Sequence, residues 1–163
     1  GTKPARESQM TAKPAFEASP VNVRIKMSAL WTAMLFVFVY VDLFSLYRPD
    51  FRADVEAGTV GGFSVNQSFL VGVTVYVIVP SLMVFGTLVL PPQVDRIANL
   101  VLSGFYGLTI VGGAIGEWNY YVLGSAVEVA LLAGIAYYAW TWPREAGLPA
   151  EVDRAAAERG PVV

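Results

Sequence analysis

Residues 69–90 read FLVGVTVYVIVPSLMVFGTLVL, twenty-two consecutive positions without a charge. A helix needs about 20 residues to cross roughly 30 Å of hydrocarbon, so this stretch predicts a transmembrane helix rather than the core of a soluble domain. It runs into Pro91-Pro92-Gln93-Val94-Asp95-Arg96, where two prolines stop one helix and preset a tight turn into the next. The helices on either side of that turn are expected to be antiparallel neighbours. Three more segments have the same character: Ser28 to Leu46 upstream, and Ile97 to Ile115 and Trp118 to Trp140 downstream. The fold expected is all-α, a four-transmembrane-helix bundle over residues 27–142.

Composition agrees with this. The chain of 163 residues is 55% hydrophobic and 15% charged, against about 25% charged in soluble domains, and Ala57 to Val94 carries no charge at all. There is no His and no Cys, which removes imidazole and thiolate metal sites, disulfides and Cys-His or Ser-His catalytic pairs. No metal and no cofactor is expected. A net charge of -2 offers no basic face for nucleic acid. All three lysines lie before residue 27, so a Schiff base within the membrane is unsupported.

Residues 1–26 are rich in Pro, Ala, Ser and Lys and read as a solvated tail; Met10 is read as a native start, and residues before it are left uninterpreted. The first apolar segment is too long for a signal-peptide core and is expected to be retained. In the first loop, Asp50 to Ala57 predicts a short surface helix capped by Asp50, with Phe51 and Val55 toward the bilayer and Gly58 ending it. Gly112, Gly113 and Gly116 predict a short turn into the fourth helix, and residues 143–163 a charged tail with a helical stretch from Pro149 to Arg159. Nine Lys and Arg fall on the side of both termini and the second loop, and two, Arg48 and Arg52, on the other. The positive-inside rule then places both termini in the cytoplasm, N-in/C-in. Tyr47, Phe51, Trp118, Tyr120 and Tyr121 are expected in an outer aromatic belt, and Trp31, Trp140 and Trp142 near the inner boundary.

The informative residues are polar ones inside the spans. Asp42 lies about 6 Å below the outer end of the first helix, and Glu128 about 15 Å into the fourth, near the midplane. A carboxylate there costs on the order of 3 kcal/mol, no Lys or Arg lies within a span to neutralise it, and the neutral acid is favoured. Each is expected to face the interior or a wet cavity. Tyr121, Ser125 and Glu128 share one stripe at i, i+4, i+7, as do Asn99, Ser103 and Tyr106; Asp42 pairs with Ser45 at i, i+3. Tyr76 and Pro80 at i, i+4 place a proline-freed carbonyl inside the bundle, and Ser81 follows it. Together these predict a polar seam of Asp42, Ser45, Tyr76, Ser81, Asn99, Ser103, Tyr106, Tyr121, Ser125 and Glu128. Arg96, beside the inner headgroups, is a candidate for a lipid phosphate.

The residues Val39-Tyr40-Val41-Asp42-Leu43-Phe44-Ser45-Leu46-Tyr47-Arg48-Pro49, Pro80-Ser81 running into Leu90-Pro91-Pro92, Arg96 with Asn99, and Glu128 ahead of Tyr138-Ala139-Trp140-Thr141-Trp142-Pro143 resemble an uncharacterised family of small bacterial four-helix membrane proteins. The resemblance covers roughly residues 22 to 143. It implies the fold and a bacterial cytoplasmic membrane location, and it brings no activity. The chain departs from that pattern at Asp50 and Asp95, both expected in loops. The four-helix outline is also similar to DoxX-like proteins, in architecture alone.

Three functions are open. The favoured one is a non-enzymatic membrane or accessory protein with a structural seam. The second is a small proton-coupled transporter using Glu128 and Asp42, and the third a lipid- or quinone-directed enzyme using Asp42 or Glu117 near Tyr47 and Asn119. The expected partners are the lipid bilayer and a second copy of the chain or another membrane protein.

Overall fold

The computed structural model describes residues 20–142, and the expected C-terminal helix from Pro149 and most of the N-terminal tail lie outside them. Four helices, α1 (Val23–Ser45), α3 (Gln67–Val89), α4 (Pro92–Ala114) and α5 (Asn119–Trp140), are long and apolar enough to cross a membrane. A short helix, α2 (Pro49–Glu56), and a two-stranded hairpin, β1 (Thr59–Val60) with β2 (Phe63–Ser64), fill the first loop.

The helix ends follow local chemistry. Asn22 caps α1, its side chain accepting from the Arg24 amide at 2.9 Å, so the helix starts about a turn and a half earlier than its apolar pattern suggests. Arg24 and Lys26 are therefore helical rather than part of a tail. Arg48, held extended ahead of Pro49, caps α2; Asp50 is not the cap but lies in the first turn and pairs with Arg48. Gly58, at φ +79°, follows the end of α2 as expected. Gly61 and Gly62 both take positive φ, the conformation of a two-residue hairpin turn, and set Val60 opposite Phe63. Asn66 caps α3 by accepting from the Phe69 amide. Pro92 opens α4 directly, so Asp95 and Arg96 belong to its first turns and the connection from α3 is shorter than the sequence suggests.

The closest backbone approaches are α4 to α5, α1 to α5 and α1 to α3. At Gly124 an added Cβ would overlap Val41 Cγ2, and at Gly134 it would lie 3.3 Å from Leu30 Cδ1, so these glycines set the α1–α5 spacing. α3 and α4 are neighbours as expected, but they meet through long side chains, with the Tyr76 and Tyr106 rings 4.7 Å apart. The core of Trp31, Met34, Met83, Tyr106, Ile110, Leu132 and Ile135 is weighted toward the end where α1 begins and α5 finishes, here the terminal end, with Ile110 of α4 extending it past the middle. The opposite, hairpin end is looser. Every buried residue of α3 is at Pro80 or beyond it, and from Gln67 to Val75 all but Phe69 are exposed. That half of α3 stands away from the other helices, with Phe69 stacked on Phe63 of the hairpin.

Candidate functional site

The polar residues read as one seam separate into three groups. At the terminal end, Asn99 is fully buried: its Oδ1 accepts from Trp31 Nε1 at 2.7 Å and its Nδ2 donates to Asp95 Oδ1 at 2.7 Å and to Thr87 Oγ1 at 3.3 Å. This ties α1, α3 and α4 together. Trp31 is thus a core residue rather than an interfacial one, and Asp95 is 0% exposed rather than in a loop, with Oδ2 unpartnered among the described residues. Arg96 donates from Nε to the Ala139 carbonyl at 3.0 Å, satisfying the last turn of α5. Trp140 is exposed, and Arg24 lies over the Trp142 ring.

In the middle, Pro80 has no N–H to give the Tyr76 carbonyl, and Tyr106 supplies the missing donor through its hydroxyl at 2.6 Å. The Tyr76 hydroxyl pairs with Thr109 at 2.6 Å. Ser103 bonds only within its own helix, to the Leu100 carbonyl. Ser81 is not in the seam: it is exposed on the outer face of α3 and donates to the Val77 carbonyl.

Toward the hairpin end lie the two carboxyls. Glu128 is 2% exposed. Val41 packs on Gly124, so Glu128, four residues further along α5, sits about 6 Å deeper than the level of Val41 and further still below Asp42. Asp42 shares its stripe of α1 with Trp31 and Phe38, and it is exposed where the facing half of α3 leaves it uncovered. It does not face a closed interior; it forms the wall of an opening. Glu128 lies on the buried stripe of α5 with Gly124 and Leu132, and the packing of Val41 on Gly124 sets it beside the part of α1 that carries Asp42. The Tyr121 hydroxyl lies beside Gly113 of α4, and its ring is half-buried. No hydrogen bond or cation from the described residues reaches either carboxyl, and Ser125, although buried, does not bond to Glu128. Below the floor, a cavity of about 10 Å³ between Met34, Phe38, Pro80 and Tyr106 has room for one water at most, and the core closes beneath it.

The rim is braced. Ser45 and Tyr120 hydroxyls meet at 2.9 Å, joining the end of α1 to the start of α5. Arg48 pairs with Asp50 and Glu117 and lies 4.6 Å from the Trp118 ring centroid, joining the end of α1 to the α4–α5 turn. These contacts hold the Arg48 guanidinium protonated well above its ordinary range, and Arg48 draws the Asp50 carboxyl below its own. Tyr47 is 77% exposed, in keeping with an interfacial ring. Among the described residues no group of side chains is arranged to hold a metal. Thr87 lies on a different helix from Asn99, where spacing gives no signal, while Asp95, four residues before Asn99 on the same stripe, reads as a turn residue because it closely follows two prolines.

Four apolar helices of membrane-spanning length, enclosing buried carboxyls and no soluble domain among the described residues, define a protein built as a multi-pass membrane protein. The chain belongs to DUF6326, a family of unknown function, whose model matches residues 16–148. No curated protein and no solved structure matches it.

Proposed function

We propose that the chain is a non-enzymatic membrane protein that binds a cation in the opening at the hairpin end, in exchange for a proton held by Glu128, and so acts as a small proton-coupled carrier. One observation carries this: Glu128 is buried to 2% without a hydrogen-bond partner among the described residues and faces Asp42, which is open. A packing role for a buried carboxyl calls for at least one donor; Asp95 at the other end has one in Asn99, although its second oxygen is unpartnered, whereas Glu128 has none among the described residues. A group kept in hydrocarbon without one fits exchange between a proton and another cation. The Trp31–Asn99–Thr87 network retains the structural part of the accessory-protein reading. An enzyme is disfavoured because neither carboxyl has a partner to act as nucleophile or acid. Arg24, Lys26 and Arg96 at the terminal end support a cytoplasmic placement of that end in a bacterial inner membrane, with the opening facing outward.

The test is proton release. Wild-type protein in nanodiscs, titrated with millimolar tetramethylammonium in weak buffer beside a pH-sensitive dye, should release up to one proton per chain. Glu128→Gln should fold with an unchanged melting profile and release none. Equal proton release by the two proteins would refute the exchange role of Glu128.

A further inference from the structure

We infer that the hairpin half of α3, from Gln67 to Val75, is a gate that pivots at Pro80 and closes on α1 over Asp42. The inference stands on helix geometry and does not need the exchange reading. α1 and α3 run antiparallel, and two contacts fix their register: Ser28 Oγ donates to the Val84 carbonyl at 2.7 Å, and the Phe38 and Tyr76 rings lie 6.0 Å apart. Asp42 is four residues beyond Phe38 and Gly72 four before Tyr76, so the two stand at one level on facing sides of their helices. On α3, Gly72 shares its stripe with Tyr76, Pro80, Met83 and Thr87. Pro80, Met83 and Thr87 are buried, Tyr76 is half-buried and Gly72 is exposed. One continuous face is thus packed on the terminal side of the proline and empty on the hairpin side.

The change comes where the helix is both broken and held. Pro80 leaves the Tyr76 carbonyl without its helical donor, Tyr106 of α4 bonds it instead, and the Tyr76 hydroxyl meets Thr109 of the same helix. From Gln67 to Val75 no hydrogen bond among the described residues joins α3 to another helix. Phe69 stacks on Phe63, so the hairpin moves with this half. Gly72 decides what the free half closes on. An added Cβ there meets no atom within 4 Å, and glycine is a poorer helix former than alanine, so nothing in the open form calls for it. Gly104 is open too, but on the outer face of α4, whereas Gly72 continues a buried stripe. Where α1 already packs closely, the facing helix presents glycine, Gly124 to Val41 and Gly134 to Leu30. Gly72 brought against the Asp42 turn of α1 repeats that arrangement and shields the carboxyl behind backbone.

The chain has no cysteine, so an introduced pair of thiols can trap the closed form. A disulfide needs its two Cβ atoms about 3.8 Å apart, closer than any atom of Asp42 comes to a Cβ at Gly72 in the open form. Asp42→Cys/Gly72→Cys in nanodiscs, oxidised with copper phenanthroline, should form an intramolecular disulfide roughly tenfold faster than Asp42→Cys/Leu70→Cys, whose second thiol lies on the outer face of α3. Asp42→Cys/Phe69→Cys, on the inward stripe, is the second pair should the first fail to fold. Adding Pro80→Ala restores an N–H for the Tyr76 carbonyl, stiffens the pivot and should slow trapping about tenfold. Pro80→Leu replaces it should the smaller side chain fail to fold. Equal trapping of the inward and outward pairs, no trapping of either, disulfides only between chains, or a Pro80 variant that traps as fast as its parent would each overturn the gate. None of these outcomes bears on proton release by Glu128.

Discussion

Asn99 and Glu128 show how differently two buried polar residues behave. Asn99 uses both ends of its amide, and its loss leaves the Trp31 indole N–H and the Asp95 carboxyl without their main partners in a dry core. Asn99→Ala is expected to lower stability by about 2 kcal/mol, read as a fall in melting temperature in detergent. An unchanged melt would mean that the network holds nothing together. Glu128→Gln, by contrast, breaks no hydrogen bond among the described residues. Both residues were visible in the sequence as polar interruptions of apolar helices, and helical spacing placed Asn99, Ser103 and Tyr106 correctly on one inward stripe. Spacing along one helix does not give partners on another. It could not show that Tyr106 donates to the carbonyl freed by Pro80, that Ser81 faces outward, or that Glu128 is left unbonded.

Among the elements, α1 and α5 approach most closely where side chains are smallest. Gly124→Ala would place a methyl against the branched Val41 side chain, which has one favoured rotamer in a helix and cannot swing away. The expected cost is about 1–3 kcal/mol. Gly104→Ala, where a Cβ meets nothing within 4 Å, is the control and should leave the melt unchanged or raise it slightly, since alanine is the better helix former. At the rim, Arg48 links elements that the sequence shows only as separate loops. Arg48→Ala should lower the melting temperature at neutral pH by roughly 2–4 °C. Asp50 titrates below its ordinary 3.8 when folded, so its contribution is complete above 3.8 and is lost as pH falls through the lower folded value. Wild type and Arg48→Ala should therefore converge in acid, and a difference that persists at pH 2 would show that Arg48 acts through packing on Trp118 rather than through Asp50. The four long helices were legible because twenty apolar residues leave few alternatives. Their ends were less so, since caps such as Asn22 and Pro92 are polar or uncharged residues outside the hydrophobic pattern, and the Gly61-Gly62 hairpin is too short to produce a period.

For the molecule as a whole, tight packing at the terminal end and a free half-helix at the other leave Asp42 exposed above the buried Glu128. Hydropathy cannot distinguish a closed set of four helices from one with a helix standing off, because α3 is apolar all round in both. That difference is the central claim, and the absence of cysteine from the chain allows a direct measurement of it. Single Asp42→Cys and Ser103→Cys variants in intact membranes would be exposed to a membrane-impermeant maleimide from each side in turn. Asp42→Cys is expected to label rapidly from the side carrying the hairpin and not from the other, while Ser103→Cys, 3% exposed beneath the closed core, stays unlabelled until the protein is denatured. Protection of Asp42→Cys from both sides, or labelling of it only from the side of the termini, would contradict an opening at the hairpin end.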